Sequence, residues 1–152
     1  MTPIDFRDLK KPTEVKKFID SMMNEKLAGT GISSSMGMFI IELDGDSCIT
    51  NKELTARVGV TKALTTRIVR QMADLGLVEG YVGGRGCGIR LTEEGVRAKE
   101  LVIRCAQECL EYLYYGITPE EEEALKRVYQ RVNDRIDEYR SRHGGDSDVE
   151  DR

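Results

Sequence analysis

The 152-residue sequence has no tryptophan, a single histidine and no apolar run near the roughly 20 residues that a membrane-spanning helix needs. Its four cysteines, Cys48, Cys87, Cys105 and Cys109, form no CxxC pair, and His143 lies in a polar stretch. A structural zinc site needs four ligands at regular spacing, so this pattern excludes one. The acidic residues fall on helix faces and caps, where solvation accounts for them. We therefore expect no cofactor, no metal and no catalysis.

The cysteines and the amino terminus indicate a reducing compartment. Cys105 and Cys109 are four residues apart, so they share one helix face and are expected to be small core or interface residues. The first residues have no apolar segment typical of a secretory signal, which predicts a cytoplasmic protein in which disulfides do not form. A thiol-switched sensor that uses Cys48 or Cys87 remains an alternative, because a reactive thiol must be exposed and electropositive.

The net charge of −4 conceals an uneven distribution. Residues 49–97 carry eight basic and five acidic side chains, net +3, whereas the remainder carries 15 basic and 22 acidic side chains, net −7. Phosphate binding depends on the local field, so an acidic remainder does not exclude nucleic acid as a partner. It argues only against loose, non-specific coating of nucleic acid.

The basic segment begins with the pattern of a helix-turn-helix. Thr50 and Glu53 have the spacing of a capping box, and Gly59 is the residue type that most readily ends a helix. Thr61 then caps a second helix, whose apolar residues recur at spacings of four, four and three: Leu64, Ile68, Met72 and Leu75. Two short helices joined by a glycine-containing turn allow the second helix to enter a major groove.

The side chains on the other faces of the second helix are cations, hydroxyls and one amide: Lys62, Thr65, Thr66, Arg67, Arg70 and Gln71. These groups contact base edges and phosphates, and the first three turns contain no acidic residue. Many small helical domains contain two helices at such an angle without binding DNA. The uniform chemistry of this face favours double-stranded DNA as the partner.

Two short strands are predicted after the second helix, at residues 77–79 and 88–91, around a glycine-rich tip at 82–87. The tip does not resemble a phosphate-binding loop, because no buried strand precedes it and no Gly-Lys-Ser/Thr follows. The residues 92–95, Thr-Glu-Glu-Gly, then begin a long helix. This order predicts a β-hairpin wing between the helix-turn-helix and a long helix.

The sequence from 50 to 95 resembles the winged helix-turn-helix regulators of the MarR (multiple antibiotic resistance regulator) family. The matching residues, over about a third of the chain, are Leu54, Gly59, Val60, Lys62, Thr66, Arg67, Gly76, Leu77, Val78, Arg85, Leu91, Thr92, Glu93 and Gly95. The resemblance implies a mainly α fold with a small β-hairpin wing and flanking dimerisation helices. It also implies a non-enzymatic transcriptional regulator, in most cases a repressor, that binds a pseudo-palindromic operator as a homodimer.

The resemblance implies which residues meet DNA: in the major groove Thr61, Lys62, Ala63, Thr66 and Arg67, and in the wing Arg85. Thr55 and Thr65 depart from the family, which usually has alanine and valine or isoleucine there; both are small, so packing should survive. The family's Asp-Arg-Arg wing pattern aligns with Gly-Gly-Arg here, so only its last arginine is kept. Ordering so many glycines on binding is costly, so we expect the wing to contribute little affinity.

Four further helices surround this module. The first begins at Pro12, the second is capped by one of the serines 33–35, and the long helix spans about 93–115. The last has a capping box of Thr118 and Glu121. The second of these helices is expected to bury Met36, Phe39, Ile40 and Leu43.

The last helix carries an apolar seam that calls for a partner helix: Leu125, Val128, Val132, Ile136 and Tyr139. In the family, the terminal helices of two chains interlock to form the dimer. The prediction is a single domain over residues 1–143, with the winged helix-turn-helix at about 33–92 and dimerisation helices at about 5–28 and 93–142. Residues 144–152 are predicted to be a disordered acidic tail.

Two questions of function stay open at the level of sequence. Family members often bind small aromatic compounds between the dimerisation helices and the DNA-binding lobe, where five side chains are candidates: Met22, Met36, Phe39, Tyr112 and Tyr115. The same five residues would serve equally well as core. The competing function is a protein-interaction module, a winged-helix dimer that no longer binds DNA.

Overall fold

The computed structural model describes residue 7 and residues 10–80 and 88–143. The predicted hairpin tip, with Arg85 and Cys87, and the predicted acidic tail lie outside the described residues. The chain divides into two compact units, residues 1–113 and 114–152. The first contains α1 (Lys11–Lys26), α2 (Ser34–Ile40), α3 (Asn51–Val58), α4 (Lys62–Asp74), β1 (Val78–Glu79), β2 (Arg90–Leu91) and α5 (Glu93–Leu113). The second contains α6 (Pro119–His143).

The predicted fold class, mainly α with a small β-hairpin, is confirmed. The helices α2, α3, α4 and α6 begin at the predicted caps because each cap satisfies backbone N–H groups that have no partner within the helix. Ser33 Oγ accepts from the amide of Met36 at 3.1 Å. In the described residues, no helix combines the length and the apolar character needed to cross a membrane.

The capping box at α3 is also confirmed. The Glu53 amide donates to Thr50 Oγ1 at 3.1 Å, while the Thr50 amide donates to Glu53 Oε2 at 2.8 Å. The second box, at the start of α6, has the same reciprocal pattern, with the Thr118 amide donating to Glu121 Oε2 at 2.9 Å. These two pairs of residues therefore set where their helices begin.

The two strands are antiparallel and pair Val78 with Leu91 and Glu79 with Arg90. A third segment joins them at Ile49, whose amide and carbonyl both bond to Ile89, at 3.0 and 2.7 Å. The strands are shorter than predicted. One reason is that the amide of residue 77 bonds back to the carbonyl of residue 72, at 2.9 Å, and closes the last turn after α4.

The core of the first unit forms where α2, α4 and α5 meet. All four residues predicted to be inward on α2 are buried, as are Cys105 and Cys109, so those predictions are confirmed. Leu75, the last residue of the predicted apolar stripe of α4, is 43% exposed. Val69, which the pattern missed, is fully buried instead.

The residues that follow α4 contact the start of α5 through Thr92 and Gly95. Thr92 Oγ1 donates to the carbonyl of Gly76 at 2.6 Å and accepts from the amide of Gly95 at 3.0 Å. The Thr92 amide donates to the Leu77 carbonyl at 3.0 Å. A Cβ atom at position 95 would lie 2.0 Å from that same Leu77 carbonyl oxygen. Only glycine allows α5 to begin this close to the chain that leaves α4.

A polar cluster joins α1 to the start of α2. Ser34 Oγ donates to Asp20 Oδ1 at 2.7 Å, and the Ser34 amide donates to Asn24 Oδ1 at 2.8 Å. Lys16 Nζ donates to Asp20 Oδ2 at 2.7 Å. Burial by itself would raise the pKa of the Asp20 carboxyl, but the hydrogen bonds from Lys16 and Ser34 outweigh burial and hold this pKa below its usual value.

We predict that Gly95→Ala lowers the free energy of unfolding by at least about 2 kcal/mol, because the new methyl group must displace backbone. Urea unfolding followed by circular dichroism measures the change. Gly37→Ala is the matched control, since its Cβ would meet only the Val102 side chain, at 3.2 Å. There the gain in helix propensity of about 1 kcal/mol offsets the crowding. Equal losses in the free energy of unfolding for Gly95→Ala and Gly37→Ala would contradict the close contact between residue 95 and the Leu77 carbonyl.

We predict that Asp20→Asn lowers the free energy of unfolding by about 0.5–1 kcal/mol at pH 7. A carboxyl with a lowered folded pKa contributes stability above its unfolded pKa of about 3.9, and this is lost as pH falls through the folded pKa. The difference between wild type and variant should therefore shrink below about pH 4. The matched control is Asp46→Asn, at an exposed turn. A difference that stays constant as the pH falls below about 4 would contradict this role for the carboxylate.

Candidate nucleic-acid interface

The helix-turn-helix consists of α3, a three-residue turn and α4. Gly59 ends α3 in the left-handed region, with φ of 74°, as predicted. Its amide donates to the Thr55 carbonyl at 3.0 Å, which completes the last turn of α3. Thr61 then caps α4 by accepting from the Leu64 amide at 3.2 Å. Because Gly59 ends α3 and Thr61 caps α4, the turn needs only the three residues 59–61.

The outer face of α4 carries most of the predicted contact residues. Thr61, Lys62, Ala63, Arg67 and Arg70 are exposed. Thr66, the sixth, is half-buried, and its hydroxyl donates to the carbonyl at position 62 at 3.0 Å. The structure therefore places on one surface six of the eight residues predicted to contact DNA.

Within the described part of the chain, no carboxylate pairs with the cations of this face. Among the described residues, Lys62, Arg67 and Arg70 form no ion pair, although Asp74 lies one helical turn after Arg70. Some cations elsewhere are paired: Lys99 Nζ lies 3.0 Å from Asp44, and Arg90 Nε lies 2.9 Å from Glu79. A surface whose cations are unpaired offers its full charge to an external anion, and a duplex presents a line of phosphates.

The structure corrects the placement of Thr65. We predicted that this side chain would face DNA, but it is fully buried. Its hydroxyl lies 2.9 Å from Thr55 Oγ1 and 3.1 Å from the Thr61 carbonyl oxygen. Positions three, four and seven residues later, Ile68, Val69 and Met72, are all buried, so Thr65 begins the inner stripe of α4. Because threonine is polar, we predicted that it would be exposed, although this helical spacing in the sequence indicated a buried side chain.

One exposed cation was not among the predicted contacts. Lys52 lies in the first turn of α3 and, among the described residues, forms no ion pair. In a helix-turn-helix the first helix crosses the sugar-phosphate backbone. The signal available in sequence was a lysine two residues after the Thr50 cap, on the same motif as the predicted contacts.

The base of the wing is closely packed. A Cβ at Gly80 would lie 2.5 Å from the Gly88 carbonyl oxygen, and a Cβ at Gly88 would lie 2.3 Å from that of Ile49. Both glycines also have positive φ, of 79° and 104°. Arg85, the predicted wing contact, lies outside the described residues, and its role stays a prediction.

The five residues proposed to line a ligand pocket have different environments. Met36 and Phe39 are buried in the core, and Met22 is half-buried against it. Tyr112 is exposed and stacks on Phe18, with ring centroids 6.3 Å apart. Tyr115 belongs to the second unit and is 91% exposed.

A groove of about 300 Å³ opens in the first unit, and none of those five residues lines it. Its walls come from the loop after α1, the end of α4 and the first turns of α5: Thr30, Ile32, Leu75, Leu77, Glu94, Arg97, Ala98 and Leu101. Arg97 is paired with Glu94. The charge at the rim is therefore already balanced within the chain.

The cysteines give little support to metal or redox chemistry. Among the described residues, no group of three or more His, Cys, Asp or Glu side chains could hold a metal ion. Burial raises the pKa of the Cys109 thiol, which keeps it protonated. Cys48 is half-buried, and Cys87 lies outside the described residues, so the thiol-switch alternative stays a hypothesis.

Residues 40–79 match a family model described as winged helix-turn-helix DNA-binding. The matched segment runs from the end of α2 to β1 and includes the whole exposed face of α4. No curated protein sequence matches the chain.

Solved structures with the same fold span nearly the whole chain. A MarR protein from Peptoclostridium difficile has a TM-score of 0.80 at 17% identity, covering 95% of this chain and 96% of its own. A MarR transcriptional regulator from Methanosarcina mazei has a TM-score of 0.78 at 18% identity, covering 90% and 94%. The reduced form of MarR from E. coli has a TM-score of 0.67 at 22% identity, covering 87% and 98%. At the level of the fold, the predicted resemblance to these regulators is confirmed.

Proposed function

We propose that this chain is a DNA-binding transcriptional regulator that inserts α4 into the major groove of duplex DNA. The observation that carries the proposal is the outer face of α4, on which cations and hydroxyls lie together without any partner carboxylate among the described residues. The family model that matches this segment and the regulators that share the fold support the same function.

The chemistry of each side chain suggests its role in the groove. Arg67 can donate two hydrogen bonds to O6 and N7 of a guanine. Because the Thr66 hydroxyl donates to the carbonyl of residue 62, its oxygen is left to accept from a base amino group. Ala63 offers a methyl group to the methyl of a thymine. Lys62, in the first turn, is suited to a phosphate, which the amino end of a helix also attracts.

We further propose that the protein works as a homodimer held by its terminal helices. None of the side chains of α6 is buried, although a row of large apolar residues follows one side: Val128, Val132, Ile136 and Tyr139, with exposures of 42–65%. An apolar row of this length is unfavourable in water and calls for a partner surface. Two joined copies would present two α4 helices to the two halves of a pseudo-palindromic operator.

The finer parts of the proposal concern regulation. A dimer bound across an operator would act as a repressor, and binding of a small aromatic ligand would release it. Transcription from a promoter that contains the operator, measured with purified polymerase, tests the repressor role. An activating effect would contradict it.

The proposed function is tested by selecting duplexes from a random-sequence library with the purified protein. We expect a shared, pseudo-palindromic motif, and binding that weakens steeply as salt rises, because bound phosphates release counterions. Recovery of no motif, with no retention on DNA at low salt, would favour the alternative of a protein-interaction module.

Lys62 and Arg67 should affect binding to the selected duplex differently. We predict that Arg67→Ala lowers discrimination against a mismatched site by about 1–3 kcal/mol, because a base contact is lost. Lys62→Ala should weaken all duplexes alike and reduce the slope of log affinity against log salt by about one unit. Fluorescence anisotropy titrations at several salt concentrations measure both quantities.

Two further variants serve as comparisons for these titrations. Arg104→Ala removes an exposed arginine of α5 and should leave both quantities unchanged. Arg85→Ala should cost less affinity than Arg67→Ala, as the sequence predicts for a glycine-rich wing. A larger loss for Arg85 would show that the wing, rather than α4, dominates binding.

The homodimer is tested by placing a charge in the apolar row of α6. We predict that Val132→Glu converts the dimer to monomer, because a carboxylate buried in an apolar interface has no partner. Gln130→Glu adds the same charge two residues away, outside the row, and should leave the dimer intact. Multi-angle light scattering measures the mass; a wild-type particle of 17.1 kDa at micromolar concentration would contradict the proposal.

A further inference from the structure

Two threonine hydroxyls meet where α3 crosses α4. Thr55 lies in the second turn of α3 and is half-buried, and Thr65 lies in the first turn of α4 and is fully buried. Their Oγ1 atoms are 2.9 Å apart, which is hydrogen-bonding distance.

The bond between the two hydroxyls forms in two arrangements of their protons. Thr65 can donate to the Thr61 carbonyl at 3.1 Å while Thr55 donates to Thr65. Alternatively, Thr55 can donate to the Asn51 carbonyl at 2.7 Å while Thr65 donates to Thr55. Each hydroxyl has one proton, and both arrangements leave one oxygen accepting across the crossing. The link is absent only when each hydroxyl donates to the carbonyl four residues earlier in the chain, so the crossing bond requires one hydroxyl to give up that carbonyl.

We propose that the Thr55–Thr65 hydrogen bond is a positioning device that sets how α4 is rotated against α3, and through this the sequence specificity of α4. The inference rests on the proposed function. Neither threonine contacts DNA in this account. Both act through the two residues that follow Thr65 in the chain, Thr66 and Arg67, which lie on the outer face.

The positioning role depends on the directionality of a hydrogen bond. The hydrophobic effect is non-directional, so apolar contacts fix a small rotation of a helix about its axis less sharply than a hydrogen bond does. A hydrogen bond depends on angle and weakens steeply away from its preferred geometry. Groups that read bases must be held within about 0.5 Å and 10–20° of the productive arrangement. A single buried hydroxyl pair one residue before Thr66 is well placed to supply that constraint.

The structure supplies a fixed frame on the other side of the bond. The capping box of Thr50 and Glu53 fixes the start of α3, and Leu54, next to Thr55, is fully buried in the core. The α3 hydroxyl is therefore presented from a helix that is itself immobilised. Because α4 is the element that carries the outer face, the constraint acts on the rotation of α4.

The test uses the full chain and the duplex that the wild type selects from a random-sequence library, with mixed-sequence DNA for comparison. Thr65→Val keeps the side-chain shape and removes the hydroxyl, and Thr65→Ser keeps the hydroxyl. We expect Thr65→Val to bind the selected duplex about tenfold more weakly, the size of one lost base contact, with affinity for mixed-sequence DNA unchanged. Thr65→Ser should bind the selected duplex like the wild type.

Thr55→Val and the double variant Thr55→Val with Thr65→Val complete a double-mutant cycle. The second substitution should add little to the loss caused by the first, because one bond is removed in every case. Ser34→Ala is the matched control: it removes another buried hydroxyl, which bonds to Asp20 away from the crossing, and should leave both affinities unchanged. Circular dichroism at the assay temperature confirms that each variant is folded.

Other outcomes would overturn the inference. Wild-type affinity for the selected duplex in Thr65→Val would show that packing alone sets the rotation of α4. Equal weakening on selected and mixed-sequence DNA, or additive losses in the double variant, would show a general effect rather than positioning. If the wild type selects no duplex at all, the proposed function fails, which is a different result from any of these.

Discussion

The fold depends on how α4 is held at its two ends. At its carboxyl end the Thr92 hydroxyl bonds to the Gly76 carbonyl, and Gly95 lets α5 begin against the backbone of Leu77. At its amino end the buried Thr65 hydroxyl meets α3. Because the outer face of α4 carries the contact residues, these two attachments decide where that face points. They also attach α4 directly to α5, one of the helices assigned to the dimer.

The charge distribution separates the proposed binding surface, the outer face of α4, from the rest of a net acidic chain. The cations of α5 and α6 are in part satisfied by nearby carboxylates, as in the pair of Lys126 with Glu122 at 2.7 Å. The cations on the outer face of α4 have no such partner among the described residues. A surface ion pair contributes little stability, so leaving these cations unpaired costs the fold almost nothing. It leaves their charge available for phosphates and bases.

Local chemistry made much of the fold predictable from sequence. The caps at Thr50, Thr61 and Thr118 were identified because a cap and its partner lie within three residues of each other. Thr65 was misplaced because its polar side chain suggested exposure, although its spacing from Ile68, Val69 and Met72 places it on the inner stripe of α4. Its partner Thr55 lies ten residues away, and that contact is visible only in the structure. Gly95 was identified only because it matches the family pattern. The reason that a glycine is needed there, the nearby Leu77 carbonyl oxygen, is visible only in three dimensions.

The central claim is that duplex DNA contacts the outer face of α4. Backbone amide chemical shifts of the labelled protein, recorded as the selected duplex is added, test it most directly. The account predicts that the largest changes fall on residues 61–70 and on the first turn of α3, with little change along the outer side of α5. Changes centred on α5 or α6, with residues 61–70 unaffected, would contradict it.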